Sequence, residues 1–158
     1  MKTAPIHLLY ESASRGNVLP LTSVCNVACV FCSHRQNPPG IEIYRIPHLD
    51  SRQVEDILQF IDPACRIVIG ESTTRIIEGE PFTNPYIKDI LSLIRQRYPS
   101  TEILITTNGT LIDPEMARFL ANLGLVELNV SLNKRRPASD NHSQKTRSVI
   151  RISNGLRH

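Results

Sequence analysis

The chain has 158 residues, 41% of them apolar and 21% charged. That is the make-up of an ordinary soluble globular domain and excludes a largely disordered or collagen-like chain. No run approaches the roughly 18 apolar residues of a membrane helix, and residues 1–10 hold no secretory-type apolar block, so a cytoplasmic protein with no membrane partner is expected. The formal charge of +3 is unevenly held: residues 134–158 carry seven of the 18 basic side chains and one of the 15 acidic ones, net +6 against −3 for the rest.

In chain order, Asn17 to Ser23 can form a first strand, with Pro20 placing it at an edge or delaying its start. Asp50 or Ser51 can cap a helix whose Val54, Ile57, Leu58 and Ile61 make one buried stripe, ended by Asp62-Pro63. Arg66 to Gly70 is rich in β-branched residues and reads as a buried parallel strand. Asn84-Pro85 is a cap followed by proline at the first helical position, with Ile87, Ile90, Leu91 and Ile94 as the stripe behind it. Ile103 to Thr106 is a strand with Asn108-Gly109 as its turn. Asp113-Pro114 repeats the cap-and-proline start, Met116, Phe119, Leu120 and Leu123 form a third stripe, and Gly124 closes it. Val126 to Leu132 is a further strand.

Strands alternating with helices of this size imply an α/β fold with a parallel sheet and right-handed crossovers. About four βα units are present, whereas a closed barrel of eight takes about 250 residues, so a partial, half TIM-type barrel or a small open sheet is expected over residues 1–133. After Asn133 the pattern stops, and only Ser148 to Ser153 alternates like a strand. Residues 134–158 read as a basic, poorly patterned tail. The strand at 126–131 would then be an exposed apolar edge, which folded proteins avoid. The break falls directly after a strand, so a chain truncated or frame-shifted at this end is the sharper expectation and a disordered tail the plainer one. A nucleic-acid partner is not expected, since the tail offers no aromatic side chain for stacking.

The informative segment is Leu21-Thr-Ser-Val-Cys25-Asn-Val-Ala-Cys29-Val-Phe-Cys32, directly after the first predicted strand. Thiols this close in a cytosolic chain more often hold a metal or a cluster than form disulfides. A [4Fe–4S] cluster has four irons to ligate, so three local cysteines leave one iron open, as a catalytic metal site requires. Two other readings stand beside this. On a helix the three thiols would share one buried face, although Val24, Val27, Ala28, Val30 and Phe31 then leave no polar face. A structural zinc would need His34 or Cys65 as fourth ligand and lacks the usual second knuckle. Cys65, outside the segment, reads as a buried thiol.

With its Asn after the first cysteine and its aromatic before the last, this segment resembles the signature loop of the radical S-adenosylmethionine (radical SAM) superfamily. Three further segments resemble that family in the family's order: Glu78-Gly79-Glu80-Pro81 after the second strand, where members carry Gly-Gly-Glu-Pro; Thr107-Asn108-Gly109 at the end of the third; and Val130-Ser131-Leu132 at the end of the fourth. The resemblance covers residues 21–133. Glu78 departs from the pattern, standing where the family usually has glycine and its close backbone approach.

The resemblance implies that Cys25, Cys29 and Cys32 bind a [4Fe–4S] cluster whose open iron takes SAM. Reductive cleavage would then give a 5′-deoxyadenosyl radical that abstracts hydrogen from a substrate. It also implies that the backbone at Gly79, Glu80 and Pro81 meets the SAM amino group, that Phe31 lies near the adenine, and that Asn108 and Ser131 face the ribose or carboxylate. An electron donor such as a flavodoxin or ferredoxin is implied as well, and the substrate is left open. The family core has about six βα units, so a chain of four is compatible with cluster binding and little catalysis. The alternative is a non-catalytic iron–sulfur or zinc-binding module.

Overall fold

The computed structural model describes residues 2–29, 32, 40–133 and 145–152. The element order is β1 (Lys2–Thr3), α1 (Ile6–Gly16), β2 (Tyr44–Arg45), α2 (Ser51–Leu58), β3 (Ile67–Ile69), a 3-10 turn (Pro81–Thr83), α3 (Ile87–Arg97), β4 (Ile103–Thr107), α4 (Pro114–Leu123), β5 (Val126–Asn133) and β6 (Lys145–Ile152). The main sheet has the order β3-β4-β5-β6, and β1 and β2 form a separate pair. In the main sheet β3, β4 and β5 are parallel, with Ile67 opposite Ile103 and Ile103 opposite Val126.

The apolar stripes read from the sequence account for the packing. Ile67, Ile69, Ile103, Ile105, Val126, Leu128 and Val130 alternate onto one sheet face, as a period of two requires. There they join the stripes of α2 (Val54, Ile57, Leu58), α3 (Ile87, Ile90, Leu91, Ile94) and α4 (Leu120) in one core. The intervening positions turn the other way: Val68, Leu104 and Thr106, then Glu127, Asn129 and Ser131. Two helix starts follow the sequence closely. Asp50 and Gln53 form a reciprocal capping box, and Asp113 accepts from the Met116 amide with Pro114 in the first turn.

Several elements differ from expectation. The first strand shrinks to a parallel bridge between Val18 and Val68, because β3 turns away at Gly70, whose φ is 79°, before it can pair with Leu21. Helix α3 begins two residues beyond Pro85; Asn84 Oδ1 accepts from the Tyr86 amide at 2.9 Å in the turn that leads into it, while its Nδ2 reaches the carbonyls of Leu21 at 3.1 Å and Leu49 at 2.9 Å. Helix α1 went unread because its buried residues, Leu8, Leu9, Ser12 and Ala13, include two small side chains. Cys65 is exposed. Residues 145–152, expected within an unpatterned tail, form β6 antiparallel to β5, from Val126 opposite Ile152 to Asn133 opposite Lys145. The apolar edge expected at 126–131 is therefore paired.

Asn17 joins the end of α1 to the turn before β3. It sits at φ 52°, where asparagine is among the few tolerated side chains. Its Nδ2 donates to the carbonyls of Asp62, Cys65 and Arg66, and its Oδ1 accepts from the Asp62 amide at 2.8 Å. Asn17→Ala is expected to lower stability by roughly 2–4 kcal/mol, measured by urea unfolding, with an unchanged denaturant slope.

Candidate functional site

The cysteine loop leaves the sheet beside Val18 and is at once held on two sides. The Ser23 amide donates to the Ile46 carbonyl at 3.1 Å and the Leu49 amide to the Leu21 carbonyl at 3.0 Å, binding residues 21–23 to 46–49. The Ser23 hydroxyl donates to the Ile77 carbonyl. On the other side the Gly79 amide donates to the Thr22 carbonyl at 2.7 Å and the Glu80 amide to the Val24 carbonyl at 2.8 Å. The two backbones come so close that a Cβ on Gly79 would lie 2.0 Å from the Val24 oxygen. Only glycine fits there.

Glu80 extends the tie to the end of β4. Its carboxylate accepts from the Thr107 hydroxyl at 2.6 Å, the Asn108 amide at 2.7 Å and the Phe82 amide at 3.3 Å. It is almost wholly buried, and these three donors replace the water it has lost. Asn108 then reaches back to the cysteine loop: its Nδ2 donates to Asn26 Oδ1 at 2.9 Å, and Asn26 Nδ2 donates to the Thr110 hydroxyl at 2.8 Å. Thr83 closes the ring from its hydroxyl to the Val24 and Glu80 carbonyls. Pro81 is buried at the start of the 3-10 turn and packs near Gly70, whose added Cβ would meet Pro81 Cγ at 2.9 Å.

The remaining expected positions are placed as follows. Ser131 follows Val130, which pairs with Thr107, the last residue of β4, so Ser131 and Asn108 lie at the same end of the sheet. Phe31 and His34 lie outside the described residues. Cys25 is exposed, Cys29 and Cys32 are half-buried, and none of the four cysteines is in a disulfide. Residues 23–29 adopt no helix, so the helical reading of the three thiols does not hold. The Cys32 amide donates to the Cys29 carbonyl at 3.2 Å in a turn. Among the described residues no three His, Cys, Asp or Glu side chains gather closely enough to hold one metal ion. The donor set nonetheless fits a cluster: three soft thiols stand on a loop whose backbone is anchored directly before them. Sequence reasoning missed Thr22, Ser23, Thr83 and Asn84 as anchors. Their types signal polar turns, and only the fold brings them to the cysteine loop.

Glu78 lies inside rather than on the site. It is 7% exposed, and its Oε1 has no hydrogen-bond partner. Burial pushes its carboxyl well above the usual carboxylate range, and a hydrogen bond with the Leu21 backbone opposes this only partly. The side chain occupies a position where β3 has turned away at Gly70, whose φ is 79°, and could no longer pair with Leu21.

Comparison with known proteins gives the family. A family model described as the Radical SAM superfamily matches residues 19–152. The chain belongs to the radical SAM superfamily. It is 29% identical over 138 residues to a GTP 3′,8-cyclase of Geobacter sulfurreducens, covering 87% of this chain and 40% of that protein. It is 34% identical over 124 residues to a GTP 3′,8-cyclase of a Synechococcus species, covering 77% and 32%. It is 31% identical over 142 residues to an Fe-coproporphyrin III synthase of Methanosarcina barkeri, covering 88% and 33%. The chain thus spans two-fifths or less of the length of these relatives. No helix among the described residues is long and apolar enough to cross a membrane.

Two predictions follow from the geometry. Gly79→Ala is expected to push residues 22–24 out of place and to reduce iron retained after anaerobic reconstitution several-fold relative to wild type, measured as iron per chain. Glu78→Gln tests the buried carboxyl. The folded state holds its proton more tightly than the unfolded state, whose carboxyl titrates near the ordinary value of about 4.3, so this group's contribution to stability falls as pH rises above that value. Glu78→Gln is expected to match wild type near pH 4 and to melt a few degrees higher near pH 8, about 1 kcal/mol being worth roughly 2–8 °C in domains of this size.

Proposed function

We propose that the rim formed by the cysteine loop, the Glu78–Pro81 segment and the ends of β4 and β5 holds a [4Fe–4S] cluster through Cys25, Cys29 and Cys32 and takes SAM on the iron left open. The observation that carries this is the tie of Gly79 and Glu80 to Thr22 and Val24, directly before the first cysteine, in a chain of the radical SAM family. Bound there, cluster and SAM would supply one-electron reductive cleavage, with the electron coming from a flavodoxin- or ferredoxin-type donor.

The chain's own residues would bind and orient. The Gly79 and Glu80 N–H groups are already spent on the cysteine segment, and the Glu80 and Pro81 carbonyls accept from Thr83 and Asn84, so the Gly79 carbonyl is the one left to accept from the SAM amino group. Asn108, just past β4, and Ser131, in β5, would meet its ribose or carboxylate side, and Phe31 its adenine. The βα units fit one part of a TIM-type barrel with the site at the strands' carboxyl ends. Relatives named GTP 3′,8-cyclase put a purine nucleotide first among substrates to try.

A second reading is a cluster- or zinc-binding module without catalysis, which the thiols of Cys25, Cys29 and Cys32 would equally allow. Electron paramagnetic resonance separates the two. The protein is reconstituted anaerobically with iron and sulfide, reduced, and examined with and without SAM. A [4Fe–4S] signal that changes with SAM and vanishes in Cys29→Ala is expected. A cluster indifferent to SAM would leave the module reading standing, and zinc with no cluster would refute the proposal.

A further inference from the structure

On the sheet face turned away from the helical core, one hydrogen-bonded chain of side chains ends in an oxygen with nothing to accept. Gly70 leaves β3 with its φ of 79° and runs so close to β4 that an added Cβ would lie 2.3 Å from the Thr106 carbonyl oxygen. This turn delivers Glu71 to Thr106, whose hydroxyl donates to Glu71 Oε1 at 2.9 Å. Asn129 stands opposite Thr106 in the β4–β5 register, and its Nδ2 donates to the Thr106 hydroxyl oxygen at 3.2 Å.

The direction of this chain is forced. A carboxylate only accepts, so the Thr106 proton goes to Glu71, and the hydroxyl oxygen is left to accept the Asn129 N–H. Turning the amide over would face its carbonyl to a hydroxyl with no proton to give. Asn129 Oδ1 is thereby fixed facing away from Thr106. It is buried and has no partner, in a residue 8% exposed. Buried acceptors in folded proteins are almost always satisfied.

We propose that Asn129 Oδ1 is a recognition point for a bound nucleoside, accepting from one of its hydroxyl or N–H groups. Ser131 lies on the same strand face about 7 Å nearer the rim, so the Asn129 oxygen, covered from solvent, lies directly below a nucleoside held at the rim. Both SAM and a purine nucleotide offer such donors. The inference draws its choice of probes from the proposed function but rests on the Glu71–Thr106–Asn129 geometry.

The test uses the full chain, reconstituted anaerobically, and titrates SAM and GTP separately by calorimetry. Asn129→Leu removes the bare oxygen while keeping the side-chain bulk. The expected result is a melting midpoint equal to or above wild type, with affinity for one of the two nucleosides lowered about three- to tenfold, the worth of one neutral hydrogen bond. The affected probe identifies the source. Thr106→Val is the second variant, used if Asn129→Leu does not fold. It frees the Asn129 amide to turn, and a loss for the same probe is expected. A lowered midpoint with both affinities unchanged would mark Asn129 as a residue of the fold and overturn the inference, as would wild-type protein that binds neither probe. If no cluster forms, the SAM arm reports failure of the proposed function, and the GTP arm still reads Asn129.

Discussion

The approach of Gly79 to Val24 is the contact on which the rest of the site depends. Two backbone segments lie closer than any side chain permits, joined by the Gly79 and Glu80 amides to the Thr22 and Val24 carbonyls. A loop carrying three cysteines has little of its own to hold it: Cys25 is exposed and Val24 points to solvent. Its position comes from the segment just before it, residues 22–24, and that segment is fixed by a neighbour that must be glycine. The apolar core sets the sheet and helices in place, but this contact sets where the sheet's first segment ends and the loop begins.

Glu80 turns that contact into a rim. A buried carboxylate is costly unless its lost hydration is replaced, and here Thr107, Asn108 and Phe82 replace it. The same three bonds hold the end of β4 to the segment that holds the cysteine loop. Asn108 returns the link through Asn26. Loop, turn and strand end therefore share one network, in which partly buried hydrogen bonds strengthen one another. Displacing any member leaves buried groups without partners elsewhere, and this lets a loop without regular structure keep a definite place.

Much of the fold could be read from the sequence because its signals are local. Asp50 and Asp113 cap where their spacing to the helical stripe says they should, and the isoleucine-rich runs became the parallel strands. The misreadings are also local in origin. Asn84-Pro85 has the form of a cap, and Asn84 Oδ1 does take the Tyr86 amide, yet the helix starts later and Asn84 Nδ2 serves two carbonyls far off in the chain. Helix α1 packs with Leu8 and Leu9 beside the small Ser12 and Ala13, which leaves its apolar stripe short. Strand β6 draws its pairing from β5 across a sequence gap that no periodicity spans. At the site, the cysteine spacing and the Gly79-Glu80-Pro81 order were legible as types. That Glu80 binds Thr107, or that Asn26 meets Asn108, depends on two strand ends arriving at one level, and no single segment carries that information.

Two of the four buried polar atoms without partners among the described residues flank this rim: Glu78 Oε1 and Asn129 Oδ1. Their chemistry separates them. A carboxyl can lower the cost of burial by keeping its proton, and burial drives Glu78 in that direction. It fills the place where β3 has turned from the first strand, so its presence is explained by the fold. An amide has no such recourse. Asn129 cannot change its charge, and Thr106 and Glu71 prevent it from turning. The cost of its bare oxygen, about 1–3 kcal/mol for a buried unsatisfied group, is removed only when something brings a donor to it. A chain of bonds that spends two side chains on fixing the orientation of a third is better explained by what that third residue receives than by the stability of the sheet it stands on.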